Sequence, residues 1–178
     1  MEDLIESGFI SGVLDITTTE WADELVGGVL SAGPHRLEAA GKKGIPQVVA
    51  PGALDMVNFG PRDTSPEKFK HRKFYQHNPT VTLMRTTKEE NAQLGRIIAE
   101  KLNAAKGPTT FFFPMKGVSA IDREGQPFYD AEADAAFLSS LKATLKPSVR
   151  LVQMDNHIND EEFAAESARC LIEMLKRA

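Results

Sequence analysis

The segment QMDNHIND, Gln153 to Asp160, places Asp155, Asn156, His157 and Asn159 directly after an apolar run. His157 has the titration range of a general acid or base and can also ligate a metal. Asp155 is a candidate to orient it, although neighbouring residues at a strand end point to opposite sides. A local capping network around Asn159 would account for about half of the cluster without chemistry. His77, ahead of Asn78-Pro79, is the second candidate for proton transfer. A metal would require His77, His157, Asp15 or Asp155 to converge. Nothing in their spacing demands it, and no metal site is expected.

A second group of residues suits an anion. Asp15 is followed by Thr17, Thr18 and Thr19 where a strand hands over to a helix. A helix N-terminus carries free N–H groups and a partial positive charge, and hydroxyls there add donors. One capping threonine explains one hydroxyl, not all of them. Glu20, Asp23 and Glu24 also suit the helix dipole and would compete with a bound phosphate, so capping and anion binding both stay open. Beyond other strands lie Gly52, Arg85, and the pair Lys116 and Gly117 in PMKGVSAID. A lysine in such a loop can pair with a phosphate or carboxylate. The chain lacks both the Walker A pattern and G-x-G-x-x-G, so no standard nucleotide fingerprint supports a particular anion. It also lacks a G-x-S-x-G elbow. Cys170 lies inside a helical stretch, so a covalent nucleophile has no strong candidate.

The elements that must position these groups alternate. Strands are expected at Gly12–Asp15, Gln47–Ala50, Lys73–His77, Thr80–Met84, Thr109–Phe113 and Val149–Met154. Helices are expected at Glu2–Phe9, Thr19–Leu30, Pro34–Lys43, Lys88–Ala105, Ala131–Leu145 and Asp160–Arg177. Leu94, Ile97, Ile98 and Leu102 form one stripe of the fourth helix, with Thr86 or Thr87 as its cap. Asn159 is the expected cap of the last. Ala53 to Arg72 reads as a long functional loop with one helical turn. Continuous apolar strands alternating with helices point to an α/β fold, an open, doubly wound, Rossmann-like and mostly parallel sheet with helices on both faces. In such sheets ligands sit beyond the carboxyl ends of the strands, where these candidate groups lie.

Composition narrows the partners. Of 178 residues, 42% are apolar and 26% charged, an ordinary balance for one globular domain. The net charge of −4 disfavours a nucleic-acid partner. The basic run Lys68 to Lys73 is short and reads as a solvated loop. A single cysteine rules out an intrachain disulfide, which fits a reducing compartment. Without a membrane-length apolar stretch or a signal peptide, the expected location is the cytoplasm.

Three long blocks carry a resemblance: GVLDITTTEWADELVGGVLSAGPHRLEAAGKKGIPQVVAPGALDMVNFGP, HNPTVTLMRTT and FFFPMKGVSAIDREGQPFYD. They are similar to the C-terminal half of the UPF0261 family, also called the Tm-1-like ATP-binding family. The resemblance covers almost the whole chain. It implies a protein of two Rossmann-like domains of which this chain is the second, and accounts for the abrupt start. It implies ATP or another nucleotide as a ligand of the family, with the ATP contact chiefly in the upstream domain, and a homo-oligomer.

Two functions follow as expectations. The first is a domain that binds an anionic small molecule, completing a site with its own upstream domain. Thr17, Thr18, Thr19, Arg85 and Lys116 would hold the charge, and His157 or His77 would do any acid–base work. The second is a dimerising interaction module without catalysis.

Overall fold

The computed structural model describes residues 1–177. Strands β1 (Val13–Thr17), β2 (Gln47–Gly52), β6 (Thr109–Pro114) and β7 (Val149–Met154) form a parallel sheet in that order. Every residue of β2 and β6 is buried, which is why both read as unbroken apolar runs. The edge strands are only partly buried, and β1 begins by alternating buried Val13 and Asp15 with exposed Leu14.

Helices α2 (Glu20–Val26), α4 (Lys88–Asn103) and α5 (Ala131–Thr144) cover one face. Trp21, Leu94, Ile98, Leu102, Phe137 and Leu141 pack there against Val49, Phe111 and Phe113. The Phe137 ring stacks on Phe113 and Phe111, with centroids 5.8 and 6.0 Å away. Helix α6 (Glu161–Leu175) covers the other face, seating Phe163 against Val48, Ala50 and Phe112. Helices α1 (Glu2–Glu6) and α3 (Ala39–Lys43) close a small cluster with Ile5, Val13, Ala39 and Ala40. The parallel strands lie side by side in chain order. Crossovers of a single hand then place the connecting helices on one face, as observed. The order has no reversal, so these four strands form no switch-point crevice.

Local signals set the helix ends. Thr87 and Glu90 make a reciprocal capping box on α4, and the Asp130 carboxylate accepts from Ala133 N–H at the start of α5. The residue at the cap position of α6 is Asp160 rather than Asn159, and its side chain accepts from His157 N–H instead of from the helix. Helix α2 stops at Gly27, where φ is +96°. Helix α3 begins only at Ala39, because Leu37 takes φ +71° and the Pro34–Leu37 stretch turns instead of coiling.

A second, three-stranded sheet departs from the sequence reading. Strands β3 (Met56–Phe59), β5 (Val81–Arg85) and β4 (Phe74–Asn78) are antiparallel and lie in that order. The segment Ala53–Arg72 is therefore not a long loop. It holds β3 and two single 3₁₀ turns, Arg62–Thr64 and Glu67–Phe69. A strand of four residues bounded by Gly52 and Gly60-Pro61 is too short to show a period. The turn at Pro79-Thr80 is a hairpin connection, which permits only the antiparallel arrangement. Its consequence is positional: His77 lies beside the hairpin tip and Arg85 at the base.

Candidate functional site

Arg85 leaves the base of the hairpin and enters the protein interior. Its Nε donates to the Phe128 carbonyl at 2.7 Å, and its Nη1 to Thr86 Oγ1 at 3.0 Å. Its Nη2 donates to Asp134 Oδ1 at 3.0 Å and stands 3.6 Å from Asp122 Oδ1. Asp122 Oδ2 accepts from Val118 N–H at 2.9 Å, bracing the loop that joins β6 to α5. Behind it, Asp55 Oδ2 accepts from Ser119 Oγ at 2.7 Å. Thr86 itself donates to the Leu54 carbonyl and accepts from Asn91, which ties the cluster to α4.

Two carboxyls, those of Asp134 and Asp122, thus face one guanidinium, and Asp55 adds a third acid that feels the Asp122 charge. Asp55 and Asp122 are fully buried, and the Oδ1 atom of each has no hydrogen-bonding donor. Burial, reinforced by the neighbouring Asp122 charge, pushes the Asp55 carboxyl from its ordinary 3.8 up to about 7. The same two causes raise Asp134, against the opposing pull of Arg85. Asp134 and Asp122 sit on the same Arg85 Nη2, so each carboxyl feels the charge of the other. Two like charges in so dry a place cannot both ionise cheaply.

Asp134 also reaches the surface. It lies in the first turn of α5 and borders an open cleft of about 410 Å³ between that helix and the end of β6. Phe113, Met115, Gly117, Tyr129 and Lys142 are among its other walls. The cleft therefore offers apolar walls and, at one end, a carboxyl that can hold its proton near neutrality. Such a group can donate a hydrogen bond to a ligand or exchange a proton with it.

Gly117 makes this loop buildable. Its φ is +116°, and a Cβ there would sit 1.6 Å from the Asp122 carbonyl oxygen. The loop is zipped to the segment after β7 by Lys116 N–H to Asn156 O and Ile158 N–H to Gly117 O. His157 completes the seam from a buried position. Its Nδ1 accepts from Asn159 N–H at 3.1 Å, so Nε2 carries the proton and donates to the Ser119 carbonyl at 2.8 Å.

The sequence candidates distribute differently. His157 has both ring nitrogens engaged and is a structural strut. Asp155 is solvent-exposed and pairs with Lys116 Nζ at 2.9 Å, instead of orienting His157. His77 is exposed on β4, away from both. The structure does not bring these three together. Arg85 and Gly117 are at the cluster, Arg85 as its buried cation and Gly117 as its hinge-like backbone.

The threonine turn does not fit a phosphate. Thr18 is buried and donates to the Ala50 carbonyl at 3.0 Å. Thr19 Oγ1 accepts from Asn58 at 3.3 Å, and only Thr17 is exposed. Asp15 holds Arg36 in a buried two-pronged pair at 2.5 and 2.8 Å, so neither residue is free for a ligand. Gly52 serves close strand packing, since a Cβ there would lie 2.3 Å from the Ile16 carbonyl oxygen. Among the described residues no three His, Cys, Asp or Glu side chains converge as metal ligands do.

Asp55, Asp122 and Asp134 escaped the sequence reading, although each lay in a segment that drew notice. Asp55 follows β2, Asp122 ends PMKGVSAID and Asp134 is one of the acids opening α5. Taken singly, each is an ordinary turn or helix-start acid. Only the fold makes them neighbours.

The family model for the C-terminal domain of an uncharacterised protein family, UPF0261, matches residues 1–175. The chain belongs to this family. The resemblance carried by the three sequence blocks thus extends over nearly its whole length. This UPF0261 domain is 65% identical over 178 residues to the UPF0261 protein of Clostridium tetani, covering 99% of this chain and 44% of that protein. It is 49% identical over 173 residues to the UPF0261 protein mlr3387 of Mesorhizobium japonicum, covering 96% of this chain and 44% of that one. It is 50% identical over 166 residues to the ToMV resistance protein Tm-1(GCR237) of Solanum lycopersicum, covering 92% of this chain and 22% of that protein. The chain spans less than half the length of these relatives. No helix among the described residues is long and apolar enough to cross a membrane.

Proposed function

We propose that this UPF0261 domain binds a small anionic molecule in the cleft between the end of β6 and α5. The observation that carries the reading is the cleft itself, about 410 Å³ in volume, with the Arg85-anchored carboxyl of Asp134 at one end. That volume lies within the range of small-molecule sites. We read the parallel sheet as Rossmann-like and the protein as cytoplasmic, with the rest of a longer polypeptide, the upstream domain, closing the cleft from outside. Any chemistry there is acid–base chemistry by Asp134. A thermal-shift panel of carboxylic acids, phosphorylated acids and nucleotides tests the reading, run on the chain and on an Ala135→Trp variant that fills the cleft. A ligand that binds the native state raises its stability. The reading predicts a shift that Ala135→Trp abolishes, and a shift that survives the variant refutes it.

A second reading, the interaction module, has its own observation. Leu14 on the outer strand β1 and Ile172 and Leu175 on α6 are all exposed, and Leu175 packs over Gly12. The opposite edge at β7 is guarded instead by Arg150, Glu166, Arg169 and Glu173. Sheet edges are usually protected by such charges. The apolar edge suits a second copy in a homo-oligomer or the upstream domain. Sedimentation of wild type and Leu14→Lys tests the former, and an unchanged monomer in both rejects it.

A further inference from the structure

What the cleft can hold is set by the charges behind it. Asp122 and Asp134 face a single guanidinium, Arg85, Asp55 adds a third acid that feels the Asp122 charge, and the buried Oδ1 atoms of Asp55 and Asp122 have no donors. Lys142 on the cleft wall already donates to Gln153 Oε1 at 2.7 Å. A phosphate dianion or a triphosphate would add two or more negative charges above an already acidic floor. A carboxylate adds one. A single O–H donated from a carboxyl to a carboxylate is a strong, short hydrogen bond, and it needs no cation. Phe113, Met115 and Leu138 line the rest of the cleft, which suits hydrocarbon.

We propose that the ligand is a small carboxylic acid with an apolar tail, held end-on by Asp134 through one shared proton. The proposal rests on the cleft being a binding site. Below about pH 7 the free protein already carries this proton on the Asp134 side of the cluster, and at pH 8 it is taken up from solvent as the ligand binds. When the ligand arrives, the Asp134 O–H turns outward to the ligand oxygen. Asp122 keeps the Val118 N–H on Oδ2 and Arg85 near Oδ1. Arg85 stays on Asp134 Oδ1 throughout. Arg85 and Asp122 bear directly on the titration of Asp134, and four other charged or titratable groups lie around the cleft or behind it. Arg85 reaches it from β5, Asp122 from the loop after β6 and Asp55 from behind Asp122. Asp130 and Lys142 lie on α5 and at its cap, and His157 packs behind Gly117.

Hexanoate is the probe. Titration calorimetry of the chain at pH 8, in two buffers of different ionisation heat, measures protons taken up. Amide NMR locates the site. About one proton per hexanoate is expected, with Kd rising roughly tenfold for each pH unit above about 7. Asp134→Asn, whose amide can still donate, should bind hexanoate with no proton uptake and a flat pH profile. Two results overturn the proposal while leaving the cleft a binding site. One is hexanoate bound in the cleft without proton uptake, or with uptake unchanged in Asp134→Asn. The other is cleft resonances that respond to ATP or inorganic phosphate and not to hexanoate. If no compound of the panel moves the cleft resonances at millimolar concentration, the cleft reading falls, and the proposal with it.

Discussion

Asp55 should make the protein less stable as pH rises, and Asp55→Asn should remove that dependence. In the unfolded chain the carboxyl titrates near 3.8, and in the native state near 7. Below about pH 4 both states are protonated, and Asp55 contributes its full stabilisation. Between those values the unfolded chain ionises and the native protein does not, so stability falls by about 1.4 kcal/mol per pH unit. Above about 7 both are ionised and the loss is complete, at roughly 4 kcal/mol in total. From pH 5 to pH 8 the portion still to be lost is about 3 kcal/mol. The substituted asparagine is isosteric and its amide oxygen still accepts from Ser119, so the variant should be close to wild type at pH 5. At pH 8 it should have gained about 3 kcal/mol on wild type. Urea unfolding of both proteins at both pH values gives the double difference directly. A double difference below about 1 kcal/mol, the scatter of such extrapolations, would refute the account of Asp55 as a carboxyl buried beside a like charge.

Four further outcomes follow from the geometry. Gly117→Ala should destabilise by about 3 kcal/mol or more, because its Cβ would meet the Asp122 carbonyl oxygen in a backbone region costly for side chains; circular-dichroism melts check this. Asp15→Ala should cost about 1.5–3 kcal/mol, since buried Arg36 loses its two-pronged partner and keeps Glu2 at 3.3 Å and Glu20 at 3.7 Å, and denaturant titrations check this. Thr87→Ala should cost about 1 kcal/mol, read as a melting point lower by about 2–4 °C, since it removes half of a capping box. His157 should show the ¹⁵N shifts of a neutral ring protonated on Nε2, and the other tautomer would contradict its assignment as a strut.

The parallel framework was legible because its signals are local and repeated. Phe111-Phe112-Phe113 and Val48-Val49-Ala50 are apolar on both sides, and Thr87 with Glu90 marks a helix start by chemistry alone. Strand β3 was not legible, since four residues carry no period and its partner β5 lies beyond two 3₁₀ turns. The buried acid cluster was not legible for a related reason. His157, Asp155 and His77 are rich in chemical potential as residue types, but reactivity depends on what the neighbours leave unsatisfied. Asn159 N–H and the Ser119 carbonyl use both nitrogens of His157. Asp55 and Asp134 become unusual chiefly through burial, and after it through the distance of each from Asp122. Each of those distances is created by tertiary folding and has no trace in spacing along the chain.

The four parallel strands lie side by side in the order in which they are synthesised. Each new strand finds its partner already made and already at an open edge. The antiparallel hairpin sheet is an excursion taken between the second and third additions. A nascent chain can therefore lengthen this sheet from one side only, without waiting for a later strand to slip between earlier ones. After the fourth strand, α6 brings Phe163 to the face still bare at that stage, so the helix made last among these elements is also the one that seals the second half of the core.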